Sequence, residues 1–182
     1  TTFTRGIAYP PDLFKYTISL LEIPGLFMGT DIPVGVDINN DLFAYTPELR
    51  NISNLWADCT FNNKPYTAEV FTPEQLIYPQ INFQNIFNNN TKLTNASGLF
   101  ASYALGKGLF IIEDTLLNKS FNLNNISSMF YYNVNMIGAV PEFSASNYPI
   151  LNSVSGYLSG CLEQNITNAD LLESRLKPIE WI

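Results

Sequence analysis

Residues 13–20, LFKYTISL, alternate: Phe14, Tyr16, Ile18 and Leu20 on one side, Lys15, Thr17 and Ser19 on the other. Period two predicts a half-buried β-strand. IPVGVDI (32–38) repeats the pattern with Val34, Val36 and Ile38, and Asn39-Asn40-Asp41 reads as a turn into LFAY. MFYYNVNMIGAV (129–140) alternates again. Residues 148–164 read as two strands around Ser155-Gly156, and residues 98–114 as two strands around Gly106-Lys107-Gly108. The alternative for 98–105 is a helix closed by Gly106.

Helical signals are short. Thr46-Pro47-Glu48 and Thr72-Pro73-Glu74 each combine an N-cap threonine, proline at the first helical position and an early acid. Thr167 or Asn168 can cap a helix through ADLLESRL, with Leu171, Leu172 and Leu176 inward. The pattern shows no internal repeat and no long linker. The expected fold is mainly β: an Ig-like or jelly-roll-type β-sandwich with short helical insertions.

The first nine residues stand apart. In TTFTRGIAYPP, Phe3, Ile7 and Tyr9 share one side of an extended chain and Thr2, Thr4, Gly6 and Ala8 the other, with Arg5 on the side of the larger residues. Pro10-Pro11 then blocks continuation, because proline donates nothing to a ladder and constrains its predecessor. The chain therefore divides into a tail with a stiff hinge, residues 1–11, and a head, residues 12–182. The tail can pair within its own sheet. It can also complete a neighbour's sheet, with Phe3, Arg5, Ile7 and Tyr9 facing an acceptor groove. Donation at one end and acceptance at the other gives a head-to-tail, non-closing polymer.

Composition narrows the function. Hydrophobic residues make up 46% of the 182 and charged residues only 14%, against about 25% in ordinary domains. Polarity comes instead from 22 Asn, 13 Ser and 13 Thr. A net charge of −7 with nine scattered cations opposes binding to nucleic acid or an anionic membrane. No apolar run approaches the roughly 20 residues of a membrane span. The chain begins at Thr1, as a secreted chain does after signal removal. In that setting Cys59 and Cys161 are expected to pair as a disulfide.

Chemistry is sparse. There is no histidine, hence no usual general base or metal ligand, and no phosphate, nucleophile-elbow or zincin motif. DINNDLFAYTPE places Asp37, Asn39, Asp41 and Glu48 at calcium-loop positions 1, 3, 5 and 12. Leu42 replaces the glycine at position 6 and Pro47 stands at position 11, so a turn followed by a helix cap is the better reading. No metal, cofactor or enzymatic activity is expected, although two carboxylates could form a glycosidase pair. N-x-S/T sequons occur at Asn51, Asn89, Asn95, Asn118, Asn125 and Asn165, about twice the three or so expected by chance. N-glycans there would supply the hydrophilic coat that so few charges cannot.

A tail of this kind, ahead of an Asn-rich, histidine-free, six-sequon β head, resembles the thread filament subunits of thermoacidophilic archaea. That resemblance implies a secreted, glycosylated cell-surface subunit polymerised by donor-strand complementation. Residues 1–9 would be the donor, the six sequon asparagines the glycan sites and identical subunits the partners, with roles in adhesion or cell contact. The alternative is a secreted recognition module, carbohydrate-binding or viral, that keeps its first strand in its own sheet.

Overall fold

A computed structural model describes residues 12–32, 38, 41–61, 81–83, 85–103, 110–134, 136–179 and 181. These residues wind as five stacked coils. Single parallel bridges link Glu22 to Asn51, Asn51 to Asn95, Asn95 to Asn125 and Asn125 to Ser153. Each coil leads with one of these residues and places the next directly above it. Successive leaders are 29, 44, 30 and 28 residues apart. The long interval contains residues 62–80, which lie outside the described set.

The coils are built from an internal repeat that the alternation concealed. The segments LEIPGLF (21–27), RNISNLW (50–56), TNASGLF (94–100), NNISSMF (124–130) and NSVSGYL (152–158) occupy equivalent positions. In the first four, the N–H three residues after the leader donates to the next coil, as from Gly25 to Ser53 and from Asn54 to Ser97, while alternate residues close local turns. Three residues past each leader, Gly25, Asn54, Gly98, Ser128 and Gly156 all have φ between 55° and 70°. A turn with positive φ at its third residue favours Gly and Asn, which explains the composition of that column.

Regular strands are short: β1 (Asp31–Ile32), β2 (Thr60–Phe61), β3 (Ile81–Phe83), β4 (Phe110–Ile112) and β5 (Met136–Gly138). β1 pairs with β2, and β3, β4 and β5 form a second sheet in that order. Every pairing among the described residues is parallel. No pair of face-to-face sheets is evident there. Among the described residues the parallel rungs enclose the core.

The core is a set of columns running through the coils. Phe27, Trp56, Phe100 and Phe130 stack with centroids 5.9, 5.5 and 5.6 Å apart and planes within 19°, inside the favourable range for ring pairs. Phe14, Phe43 and Phe87 form a second column at 5.3 and 5.1 Å. A third column is polar. Thr46, Asn90 and Ser120 sit one coil above another and are buried. The Asn90 amide donates to the main-chain oxygens of Phe43 and Thr46 and to Thr46 Oγ1, and Ser120 Oγ donates to the Asn90 carbonyl.

Several local expectations change. Residues 12–20 are not a strand. Thr17 N donates to Phe14 O and Leu20 N to Thr17 O, so the segment turns a corner. Phe14 and Leu20 pack on the core, while Tyr16 is 90% exposed. Residues 46–48 make one turn, and Thr46 Oγ1 bonds back to Phe43 O. The C-terminal helix shrinks to a 3-10 turn, Ala169–Leu171. Leu172 and Leu176 face inward as expected, but Leu171 is exposed. Asn168 spends its side chain on the Val140 N–H and carbonyl rather than capping that turn. Residues 72–74 and the 106–108 turn lie outside the described residues.

Candidate functional site

The two cysteines are free and buried, which corrects the expected disulfide. Cys59 and Cys161 each stand eight residues after their coil's leader, in coils two and five. Rungs stack about 4.8 Å apart, so three coils separate the thiols by roughly 14 Å. A disulfide needs Cα atoms within about 7 Å. Each thiol instead donates to a main-chain oxygen of the coil before it, Cys59 to Phe27 and Cys161 to Phe130, both at 3.0 Å. Asn133 does the same to Phe100 from the equivalent position in coil four. Burial pushes both thiols up to about 12. They are structural donors, not nucleophiles.

The sequons also find a place in the repeat. Asn51, Asn95 and Asn125 are coil leaders. In each, Oδ1 accepts a 3.0 Å bond from the N–H of the sequon serine two residues on, Ser53, Ser97 or Ser127. This is an Asx-turn, and it accounts for half the sequons by folding requirement alone. The Asn165 amide donates to Val134 O at 3.0 Å. Asn118 is partly buried, and its Oδ1 has no partner. Asn89 is exposed, its amide 3.3 Å from Ala44 O.

Asp37 and Asn39 of the weighed calcium loop lie outside the described residues, as do Phe3, Arg5, Ile7 and Tyr9 of the tail. Glu48 is ion-paired with Lys92 of the next coil, a bond that holds its carboxyl below the usual range. Among the described residues no group of three acids, cysteines or histidines is placed to hold a metal. No helix among them is long and apolar enough to cross a membrane.

Two features can engage another molecule. The first is the outer edge of coil one. Inside the stack, the oxygens of Asn51, Ser53, Leu55 and Ala57 accept from coil one. Their counterparts in coil one, the oxygens of Glu22, Pro24, Leu26 and Met28, receive no main-chain N–H from any described residue. The same edge is apolar. Leu26 is 50% exposed, whereas its equivalents Leu55, Leu99, Met129 and Tyr157 are at most 1% exposed. Leu21, Met28, Leu13, Tyr16 and Ile18 are exposed around it. The opposite end differs: Leu158 of coil five is fully buried, with Leu172, Leu176 and Trp181 packed in the same core. Among the described residues the C-terminal end of the stack is covered and the outer edge of coil one is not. Repeat stacks require capped ends, and an open rung of acceptors is what strand addition uses.

The second feature is a cleft of about 290 Å³ beside the return segments of coils three and four. Phe121, Phe143 and Tyr148 line it together with Asp114 and Glu142. A separate strip, exposed at Tyr103 and half-buried at Tyr131 and Tyr132, has ring centroids 6.0 and 4.6 Å apart. Tyr103 is fixed through its N–H to Asp58 and its hydroxyl to Asn54.

Neither feature is marked in the alternation pattern, since each depends on which coils become neighbours. The repeat segments themselves were the signal that could have found the open edge. No protein-family model matches the chain, and comparison with curated proteins and with solved structures finds no match.

Proposed function

We propose that this protein is a non-enzymatic structural subunit of an extracellular surface filament, joined head to tail by strand addition at the open edge of coil one. The observation that carries this is the row of Glu22, Pro24, Leu26 and Met28 oxygens, to which no main-chain N–H of a described residue donates, flanked by exposed Leu21, Leu26 and Met28. Within the stack the same row is always occupied. A strand laid there would gain alternate main-chain hydrogen bonds and cover apolar surface. The tail of an adjoining copy has the alternation to fill that row. Phe3, Ile7 and Tyr9 would lie on Leu21, Leu26 and Met28. This is the assembly mode implied by the resemblance to archaeal thread filament subunits.

The test is electron microscopy and sedimentation of the full chain beside two variants. Deleting residues 1–9 should leave soluble heads that bind an added peptide TTFTRGIAYPP. The double substitution Leu26→Glu/Met28→Glu should block acceptance while preserving the circular dichroism of the parent. A full chain that stays monomeric at every concentration, or variants that assemble as the parent does, would refute the proposal.

A second reading, a secreted recognition module, is favoured by the Tyr103–Tyr131–Tyr132 strip. It requires a monomer that binds its target through those rings, with binding lost in Tyr103→Ala.

A further inference from the structure

We infer that the cleft beside coils three and four is a binding site for one pyranose-sized saccharide ring, independent of the filament proposal. Its volume of about 290 Å³ stands at the small end of ligand sites, which run from roughly 300 to 1,000 Å³. That admits a single ring or chain terminus rather than a long oligosaccharide. Its walls divide by chemistry. One is aromatic: Phe121, half exposed, lies 5.7 Å from Tyr148, whose ring meets Phe143 edge-on at 5.0 Å. The Tyr148 hydroxyl is tied to Leu117 O, 2.9 Å away, which fixes the ring in place. The other wall is rich in acceptors, with the exposed carboxylates of Asp114 and Glu142.

This combination selects the ligand. An aromatic platform takes the C–H face of a sugar, and carboxylates accept from its hydroxyls. Two further observations mark the site. Thr115 Oγ1 and Asn118 Oδ1, both in residues lining the cleft, are shut off from solvent without any partner. Two such orphans in one wall are unusual for a folded protein and call for an explanation at that spot. Glu173, by contrast, lies nearby in the C-terminal segment but is already bonded to Ala145 N and Arg175. Asp114 and Glu142 of the cleft have no such partner among the described residues.

The experiment is NMR titration of the full chain with a panel of monosaccharides and disaccharides, with calcium alone and choline alone as separate arms. The expected result is millimolar binding of at least one sugar, with shifts confined to residues 114–121 and 141–148. Phe121→Ala should weaken it at least tenfold. Glu142→Gln should weaken it several-fold. Both residues are exposed, so the melting temperature should not change. Absence of shifts with every sugar overturns the inference, as does binding unaffected by Phe121→Ala. Shifts produced only by calcium or only by choline overturn it too, because they would make the acceptors a cation site.

Discussion

The column through Phe27, Trp56, Phe100 and Phe130 makes a prediction that separates this architecture from any other. Trp56 is fully buried and lies within 6.1 Å of Phe27, Phe43, Phe83, Phe87 and Phe100. Its indole N–H has no acceptor. Three coils use phenylalanine at the same position. Trp56→Phe therefore removes about 40 Å³, worth about 1 kcal/mol at 24 cal/mol per Å³ of cavity. It also removes an orphaned donor, which offsets about 1 kcal/mol or more. The net change should lie within about 1 kcal/mol of zero. Trp56→Ala opens the column and should cost about 3–5 kcal/mol. Urea titration followed by far-ultraviolet circular dichroism measures both, with the slope checked for constancy. If the phenylalanine variant loses as much as the alanine variant, indole does something a stacked ring cannot, and the column account is wrong.

Shorter predictions follow from other parts of the fold. Both thiols are shifted upward by burial, so the folded state favours their protonated form. Their contribution is complete below the unfolded value near 9 and lost as pH climbs toward about 12. Alkaline titration of stability should show that decline, reduced in Cys59→Ala/Cys161→Ala. A thiol reagent at neutral pH should label neither cysteine until the protein unfolds, and non-reducing mass spectrometry should find no disulfide. Asn90→Ala removes a buried amide that satisfies Phe43 O and Thr46. It should cost roughly 2–4 kcal/mol in the same urea assay, and Asn88→Ala, at an exposed neighbour, should cost under about 0.5 kcal/mol. Gly138 has φ +114°, and an added Cβ would fall 2.2 Å from Ile112 O. Gly138→Ala should destabilise by about 1–3 kcal/mol, seen as a lower melting temperature. If the chain is glycosylated, glycopeptide mapping should find Asn89, which is exposed and held only by a 3.3 Å bond to Ala44 O, more occupied than the partly buried Asn165, whose amide is 3.0 Å from Val134 O. Equal occupancy would show that modification precedes folding there.

Much of the inward-facing set was legible. Phe14, Leu20, Ile38, Phe130, Val134, Met136, Leu172 and Leu176 all pack inward or against the core. Phe14 and Leu20 show why the element type was not legible with them. They are six residues apart, and six is a multiple of both two and three. A strand and a chain of three-residue turns therefore bury the same pair, and only Tyr16 and Ile18, both exposed, tell them apart. The cysteine pairing went astray for a related reason. Parity and an extracellular setting suggest a bond, but position within the repeat keeps the thiols three coils apart. The sequon excess had an equal ambiguity, since Asn-x-Ser is also the Asx-turn that starts a coil.

By itself the sequence indicated much of what is buried, a turn at Ser155-Gly156 and the lack of histidine, because these are properties of single residues and near neighbours. Only the tertiary structure decided that Asn51, Asn95 and Asn125 share a column, that the rungs run parallel, and that no described residue donates a main-chain N–H to the outer edge of coil one. Those facts depend on contacts between residues about 30 positions apart, whose register is set by stacking rather than by local preference. The physical reason is that no coil buries its own apolar side alone: each is completed by its neighbour, and the identity of that neighbour is not written in the coil.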